Sequence, residues 1–313
     1  MSVSEPVLES GRVADAAPDT TRDIRTEDGL PIVKARRLRK SYGKKAVLKG
    51  VDFSLLAGRI VGLIGPNGAG KTTILKTLLG LTPFDGEMQV LGFDPRSQRA
   101  DLMREVSFIA DVAVLPRWLR VSHAIDFLAG VHPKFSREKA EYFLAKTRIE
   151  KSSKVRQLSK GMVAQLHLAL VMAIDARLLV LDEPTLGLDI LFRKTFYNNL
   201  LTEYFDENNT VLITTHQVEE IEHILTDLIF IDDGKIVLDV SMEEVAERFV
   251  ELSVRPDAVS QAQALGPLKQ WQMLGRQVMV FDGVPREALS EFGDTGTPSV
   301  ADLFVAHMQE VAQ

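Results

Sequence analysis

The chain has 313 residues, 45% of them hydrophobic and 26% charged, with a formal net charge of −6 and no cysteine. That length suits one large domain or two modest ones, and the composition excludes a wholly disordered, collagen-like or coiled-coil chain. The charge leaves no basic footprint for nucleic acid, and the missing cysteines exclude disulfides, thiolate zinc sites and a cysteine nucleophile.

Residues 1–30 are rich in Ser, Thr, Asp, Glu and Ala, which predicts a disordered acidic leader; a translation start further downstream is the alternative. No apolar central run marks a signal peptide. Apolar stretches such as 166–174 fall well short of the roughly 20 residues a bilayer requires. Segments 32–38 and 46–55 predict strands. Segment 60–64 is a short apolar run that suits a strand buried on both faces. Residues 71–79 predict a helix with Ile74, Leu75, Leu78 and Leu79 on one side, and Gly80 sits at the C-terminal cap position. A strand over 105–110 leads into helices at 122–129 and 136–145, with a tail to 153. A long helix follows Leu158-Ser159-Lys160-Gly161-Met162. Strands are expected at 178–181 and 210–214, with a helix over 190–205 between them. Residues 227–240 read as a hairpin turning at Asp232-Asp233-Gly234. Past 242 the pattern changes to helix 242–249, strand 250–254, helix 258–265, strands 269–273 and 277–281, and helix 299–311. This tail predicts a small α+β accessory domain over 241–313, after a main α/β domain over 31–240.

Two segments carry chemistry. Gly65-Pro66-Asn67-Gly68-Ala69-Gly70-Lys71-Thr72-Thr73 fits G-x-x-x-x-G-K-[ST] between a buried strand and a helix. Its glycines let successive backbone N–H groups turn inward to phosphate oxygens. The helix that follows aims its positive end at the same anion. Lys71 would reach the β- and γ-phosphates, and Thr72 would bind Mg²⁺. The strand 178–181 ends in Asp182 and Glu183, delivering two carboxylates to the sheet edge where α/β folds bind ligands. Asp182 would hold the magnesium, and Glu183 would act as general base on the attacking water. These motifs identify a P-loop nucleotide hydrolase. The N-K-x-D segment of GTPases is missing, and a small-molecule kinase stays open on these motifs alone.

Further stations narrow the class. Ser159 can cap the helix after it, exposing free N–H groups to an anion. With its spacing to Asp182, the Leu158–Met162 segment resembles the L-S-G-G-Q signature of the ATP-binding cassette (ABC) transporter ATPases, with Lys160 and Met162 replacing a glycine and the glutamine. The resemblance covers about residues 32–240. It implies a P-loop fold with an ABC-type helical subdomain over about 111–165. It also implies that Tyr42 stacks on adenine, that residues 184–189 form the loop crossing a dimer interface, and that His216 is the switch histidine at the γ-phosphate. Asp111 aligns with the family's usual glutamine at the metal and attacking water. An ionised acid there could coordinate a cation but could not donate a hydrogen bond.

The resemblance implies an ATPase subunit that powers export through a separate membrane permease, at the cytoplasmic face of the inner membrane. Two cassettes would sandwich ATP. Lys71, Thr72, Asp182, Glu183 and His216 of one copy would act with Ser159 and Gly161 of the other. Leu115, Pro116, Trp118 and Leu119 are expected to form either a permease-facing patch or internal packing. Two other readings stand beside this one: a soluble cassette that remodels a ribosome, nucleic acid or protein, and an ATP-binding regulator with the tail as effector.

Overall fold

Every residue of the strand β3 (Ile60–Ile64) is buried, as its unbroken apolar run requires in the middle of a layered sheet. The computed structural model describes residues 31–109, 115–206 and 208–308. Before β3, β1 (Val33–Tyr42) and β2 (Lys45–Leu55) form an antiparallel pair. After it come α1 (Lys71–Leu78), β4 (Asp85–Val90), α2 (Arg99–Leu102) and β5 (Val106–Ile109). Three helices follow: α3 (Val121–Val131), α4 (Arg137–Ala145) and α5 (Lys160–Met172). The chain then returns through β6 (Leu178–Asp182), α6 (Ile190–Asn199), β7 (Thr210–Thr215), β8 (Asp227–Asp232) and β9 (Lys235–Ser241). The remainder comprises α7 (Met242–Arg248), β10 (Phe249–Val254), α8 (Val259–Gln263), β11 (Lys269–Met273), β12 (Arg276–Asp282), α9 (Arg286–Ser290), β13 (Gly293–Gly296) and α10 (Val300–Met308).

The strands form three sheets: a three-stranded β2-β1-β4, a six-stranded β5-β6-β7-β3-β8-β9 and a four-stranded β11-β12-β10-β13. The six-stranded sheet is parallel except for β9. Its side chains alternate between two cores. Ile60, Ile64, Leu179, Leu181, Val211 and Ile213 face the helices α3 to α6. Val61, Leu63, Leu178, Val180 and Leu212 face α1 and the three-stranded sheet. Burial on both faces explains why these strands are apolar at every position rather than at every second one.

The expected elements form with small shifts of their ends, except that the tail expected to 153 is turns rather than helix past Ala145. Strand β4 was not foreseen, because only Met88 and Val90 of its six residues are buried. The helix expected over 190–205 stops at Asn199 and continues as a wider π turn, Leu200–Tyr204. There Phe205 N–H donates to Leu200 O at 2.8 Å, and Leu200 and Tyr204 are both buried. Three short elements, α2, α9 and β13, were also not foreseen. The expected leader lies outside the described residues. No helix among the described residues is long and apolar enough to cross a membrane.

The four-stranded sheet has a core of its own, built on Val250, Leu252, Met279, Phe281 and Leu289. The elements flanking it belong elsewhere: Val245, Phe249, Val300 and Leu303 pack into the helix-side core of the six-stranded sheet. His307 sits edge-on to Phe230 and Phe249, with ring centres 6.0 and 5.7 Å away. Glu222 Oε1 accepts from Val300 N–H at 3.1 Å at the start of α10. Phe249 is fully buried at this junction. Phe249→Ala should therefore cost about 3–5 kcal/mol, by the usual penalty for an emptied aromatic site, read by urea denaturation of the full chain. A loss under about 1 kcal/mol would mean that the junction is loose.

Candidate nucleotide site

The phosphate loop leaves β3 pressed against β8. A Cβ at Gly65 would lie 2.2 Å from Ile231 O, so only glycine permits that exit. Gly70, with φ of 120°, is the N-cap of α1 and offers no side-chain cap. The first-turn amides of α1 are thereby available to an anion. Ala69 is buried, and its carbonyl accepts from Gly234 N–H at 3.0 Å, pinning the loop to the β8–β9 turn. Asn67 and Gly68 form the exposed crest, with Thr72 exposed and Thr73 half-buried at the start of α1.

Lys71 is buried, and its Nζ donates to Gly65 O at 2.6 Å and to Pro66 O at 3.4 Å. Burial lowers the pKa of this ammonium. The carboxylates of Glu183 and Asp182 act in the opposite sense, which puts both within electrostatic reach of the lysine.

Asp182 ends β6 and is 4% exposed. Its Oδ1 accepts from Thr214 Oγ1 at 2.6 Å across the parallel pairing of β6 and β7. Glu183 follows with φ of 48°, a left-handed backbone that costs a non-glycine residue about 1–3 kcal/mol. Its N–H donates to Thr214 O at 3.1 Å and Thr214 Oγ1 at 3.2 Å. Its Oε2 lies 2.8 Å from His216 Nδ1, just past the end of β7. The chain ends of β3, β6 and β7 thus bring Lys71, Asp182, Glu183 and His216 to one sheet edge. Thr214 was missed as a functional residue. Its signal was a hydroxyl in register with the first acid on the neighbouring strand.

The donor set also bears on a metal. Asp182 contributes a buried carboxylate and Thr72 a hydroxyl. This all-oxygen pair fits Mg²⁺, which takes one or two protein oxygens and fills its shell with phosphate and water. Among the described residues there is no cluster of three or more His, Asp or Glu that would hold a cation unaided. Asp111 lies outside the described residues.

The remaining candidates sit as follows. Tyr42 ends β1 and is 48% exposed, with the Lys40 ammonium 4.9 Å from its ring centre. Ser159 is the N-cap of α5, and its Oγ accepts from Met162 N–H at 3.2 Å. A Cβ on Gly161 would lie 3.8 Å from Gly187 O, so the capped helix start abuts the loop after Glu183. Asp189 caps α6, accepting from Phe192 N–H at 2.9 Å. Of the expected patch, Trp118 is 72% exposed, while Leu115 and Leu119 pack against the helix-side core. Phe127 and Val131, one turn apart on α3, are also exposed. Burial drops the pKa of His167 to about 4, so it is a neutral packing residue at pH 7.

Comparisons with known proteins bear on the family and the fold. The family described as ABC transporter matches residues 48–186. The Nod factor export ATP-binding protein I of Ralstonia nicotianae (strain ATCC BAA-1114 / GMI1000) is 35% identical over 211 residues, covering 66% of this chain and 65% of the relative. The SkfA peptide export ATP-binding protein SkfE of Bacillus subtilis (strain 168) is 32% identical over 225 residues, covering 70% of this chain and 93% of the relative. A solved structure described as an ATP-binding subunit of an ABC transporter shares the fold, with a TM-score of 0.63 at 24% identity over 68% of this chain and 91% of that one.

Thr214 supports both acids, so Thr214→Val should leave Asp182 short of a donor. The expected cost is about 1–3 kcal/mol of stability, read by thermal unfolding, with a marked fall in nucleotide turnover. Unchanged stability and turnover would show that the bond is dispensable.

Proposed function

The chain belongs to the ABC transporter family as an ATP-hydrolysing subunit, and from that premise we propose that it pairs with a second cassette around ATP and drives export through a separate permease. The observation that carries the reading is the convergence of Lys71, Asp182, Glu183 and His216 at the end of β3, β6 and β7. Relatives named for export of Nod factor and of a peptide support the direction. The soluble remodelling and regulatory readings have no comparable support.

The proposed chemistry follows from the positions. Amides of residues 65–73 and the Lys71 ammonium grip the β- and γ-phosphates, and Tyr42 stacks on adenine. Thr72 and Asp182 would hold a magnesium ion, which would supply neutralisation of phosphate charge. Glu183 takes a proton from the water that attacks the γ-phosphorus. The bond from that phosphorus to the bridging oxygen breaks, and ADP and phosphate leave. His216, hydrogen-bonded to Glu183, orients that carboxylate and contacts the γ-phosphate. Most of the catalysis is positioning and charge stabilisation.

Ser159 completes the site from the second copy. Its side chain caps α5, whose first amides then face the γ-phosphate across the interface. Closing on ATP and opening after hydrolysis would supply the stroke. The exposed Trp118, Phe127 and Val131 form the permease-facing surface of the helical insert, anchored beneath by Leu115 and Leu119. The four-stranded sheet acts as an accessory unit, and the working location is the cytoplasmic face of the inner membrane.

Two outcomes test the chemistry. Glu183→Gln should keep ATP binding, lose turnover by about a hundredfold or more and accumulate as an ATP-bound dimer in size-exclusion chromatography. Lys71→Ala should lose tight ATP binding by isothermal titration. Wild-type turnover in the first, or wild-type affinity in the second, contradicts the assigned roles. Docking is tested separately: Trp118→Ala should recover much less permease from solubilised membranes at unchanged ATP affinity, and full recovery would remove the patch.

A further inference from the structure

Arg193 lies on α6, near the exit of the loop that begins at Glu183. Its guanidinium makes three bonds to two segments. Nε donates to Leu188 O at 2.8 Å. Nη1 donates to Gln217 Oε1 at 2.6 Å and to Glu220 Oε1 at 2.5 Å. Leu188 closes the segment that starts at Glu183. Gln217 directly follows His216, and its N–H donates to Thr215 Oγ1 at 3.0 Å. One side chain therefore clamps the far flank of each member of the Glu183–His216 pair.

We propose that Arg193 is a positioning residue for ATP hydrolysis, holding the loop that bears Glu183 and the segment that bears His216 in mutual register. This inference rests on the ATPase reading above. A guanidinium suits the task because its planar fork reaches several acceptors at fixed angles, which an ammonium cannot do. The pair is well shielded, with Arg193 18% and Glu220 28% exposed at their side chains. Glu220 Oε2 is buried without a hydrogen-bond partner, so Arg193 supplies the charge compensation for this carboxylate. Without Arg193 the carboxylate is left uncompensated, and the turn carrying it must move toward water. His216 lies at the head of that turn. Tyr197 reinforces the same loop one turn further along α6, its hydroxyl 3.2 Å from Thr185 Oγ1.

A purely structural role and a positioning role diverge in one comparison. In the full chain, Arg193→Met should lower kcat at least tenfold, leave the KM for ATP within twofold, and lower the Tm. Arg193→Lys should recover only part of kcat. The double variant Arg193→Met with Glu220→Gln removes the unpaired charge. It should regain most of the Tm while kcat stays low, because Leu188 and Gln217 are still unlinked. Recovery of kcat together with Tm would reduce Arg193 to a structural role and overturn the inference, as would an unchanged kcat in Arg193→Met. If the wild-type chain with Mg²⁺ and ATP shows no turnover, the ATPase reading fails and takes this inference with it. Wild-type turnover with an unaffected Arg193→Met sinks the inference alone.

Discussion

A lysine ammonium and an aspartate carboxylate, both almost wholly buried, share one edge of the six-stranded sheet. Such charges are costly to remove from water unless polar partners replace the lost hydration. Here Lys71 donates to the carbonyls of its own loop, and Asp182 accepts from the Thr214 hydroxyl. The arrangement depends on strand order. β7 lies between β3 and β6, so the phosphate loop and the two acids emerge on either side of the strand that carries Thr214 and points to His216. In the proposed reading a triphosphate would meet the amides and the ammonium of this edge, and a hard cation the carboxylate and hydroxyl.

Around that edge, otherwise distant pieces of chain are joined by short polar links. The β8–β9 turn reaches both ways, donating from Gly234 N–H to Ala69 O and accepting from Lys49 N–H. It thereby fixes the phosphate loop against the three-stranded sheet. On the other side, Glu222 accepts from the first residue of α10. The helix α10 is thus bonded to the segment just past His216. The four-stranded sheet keeps its own core, yet it enters and leaves through Phe249 and Val300, both packed into the larger one.

Much of the fold was legible because its signals are local. The buried run 60–64, the glycine loop and the helix 71–78 form one sequence block that reads as a phosphate site. The hairpin 227–241 declares itself through Asp233 and Gly234, which adopt φ of 41° and 75°, as a tight hairpin turn requires. The Ser159 cap was equally plain; Ser136, Asp189 and Ser241 act in the same way, each accepting from an amide of the helix it starts. What escaped depends on contacts distant in sequence. β4 is a strand because β1 offers an edge to pair with, not because of its own apolar pattern. Thr214 and Arg193 gain significance only from the strand register and the return of residues 217–220 beside α6. The patch at 115–119 could not be divided between packing and surface until Leu115 and Leu119 were seen to face inward and Trp118 outward.

The central claim is that residues 65–73 hold a triphosphate beside Asp182 and Glu183 and that a second copy's Ser159 closes over it. A crystal structure of the full chain with Mg²⁺ and a non-hydrolysable ATP analogue tests this most directly. The account predicts a two-fold dimer with the γ-phosphate between Lys71 of one copy and the start of α5 of the other. Nucleotide bound elsewhere, or seated at the loop in a dimer whose α5 helices face away, would contradict it.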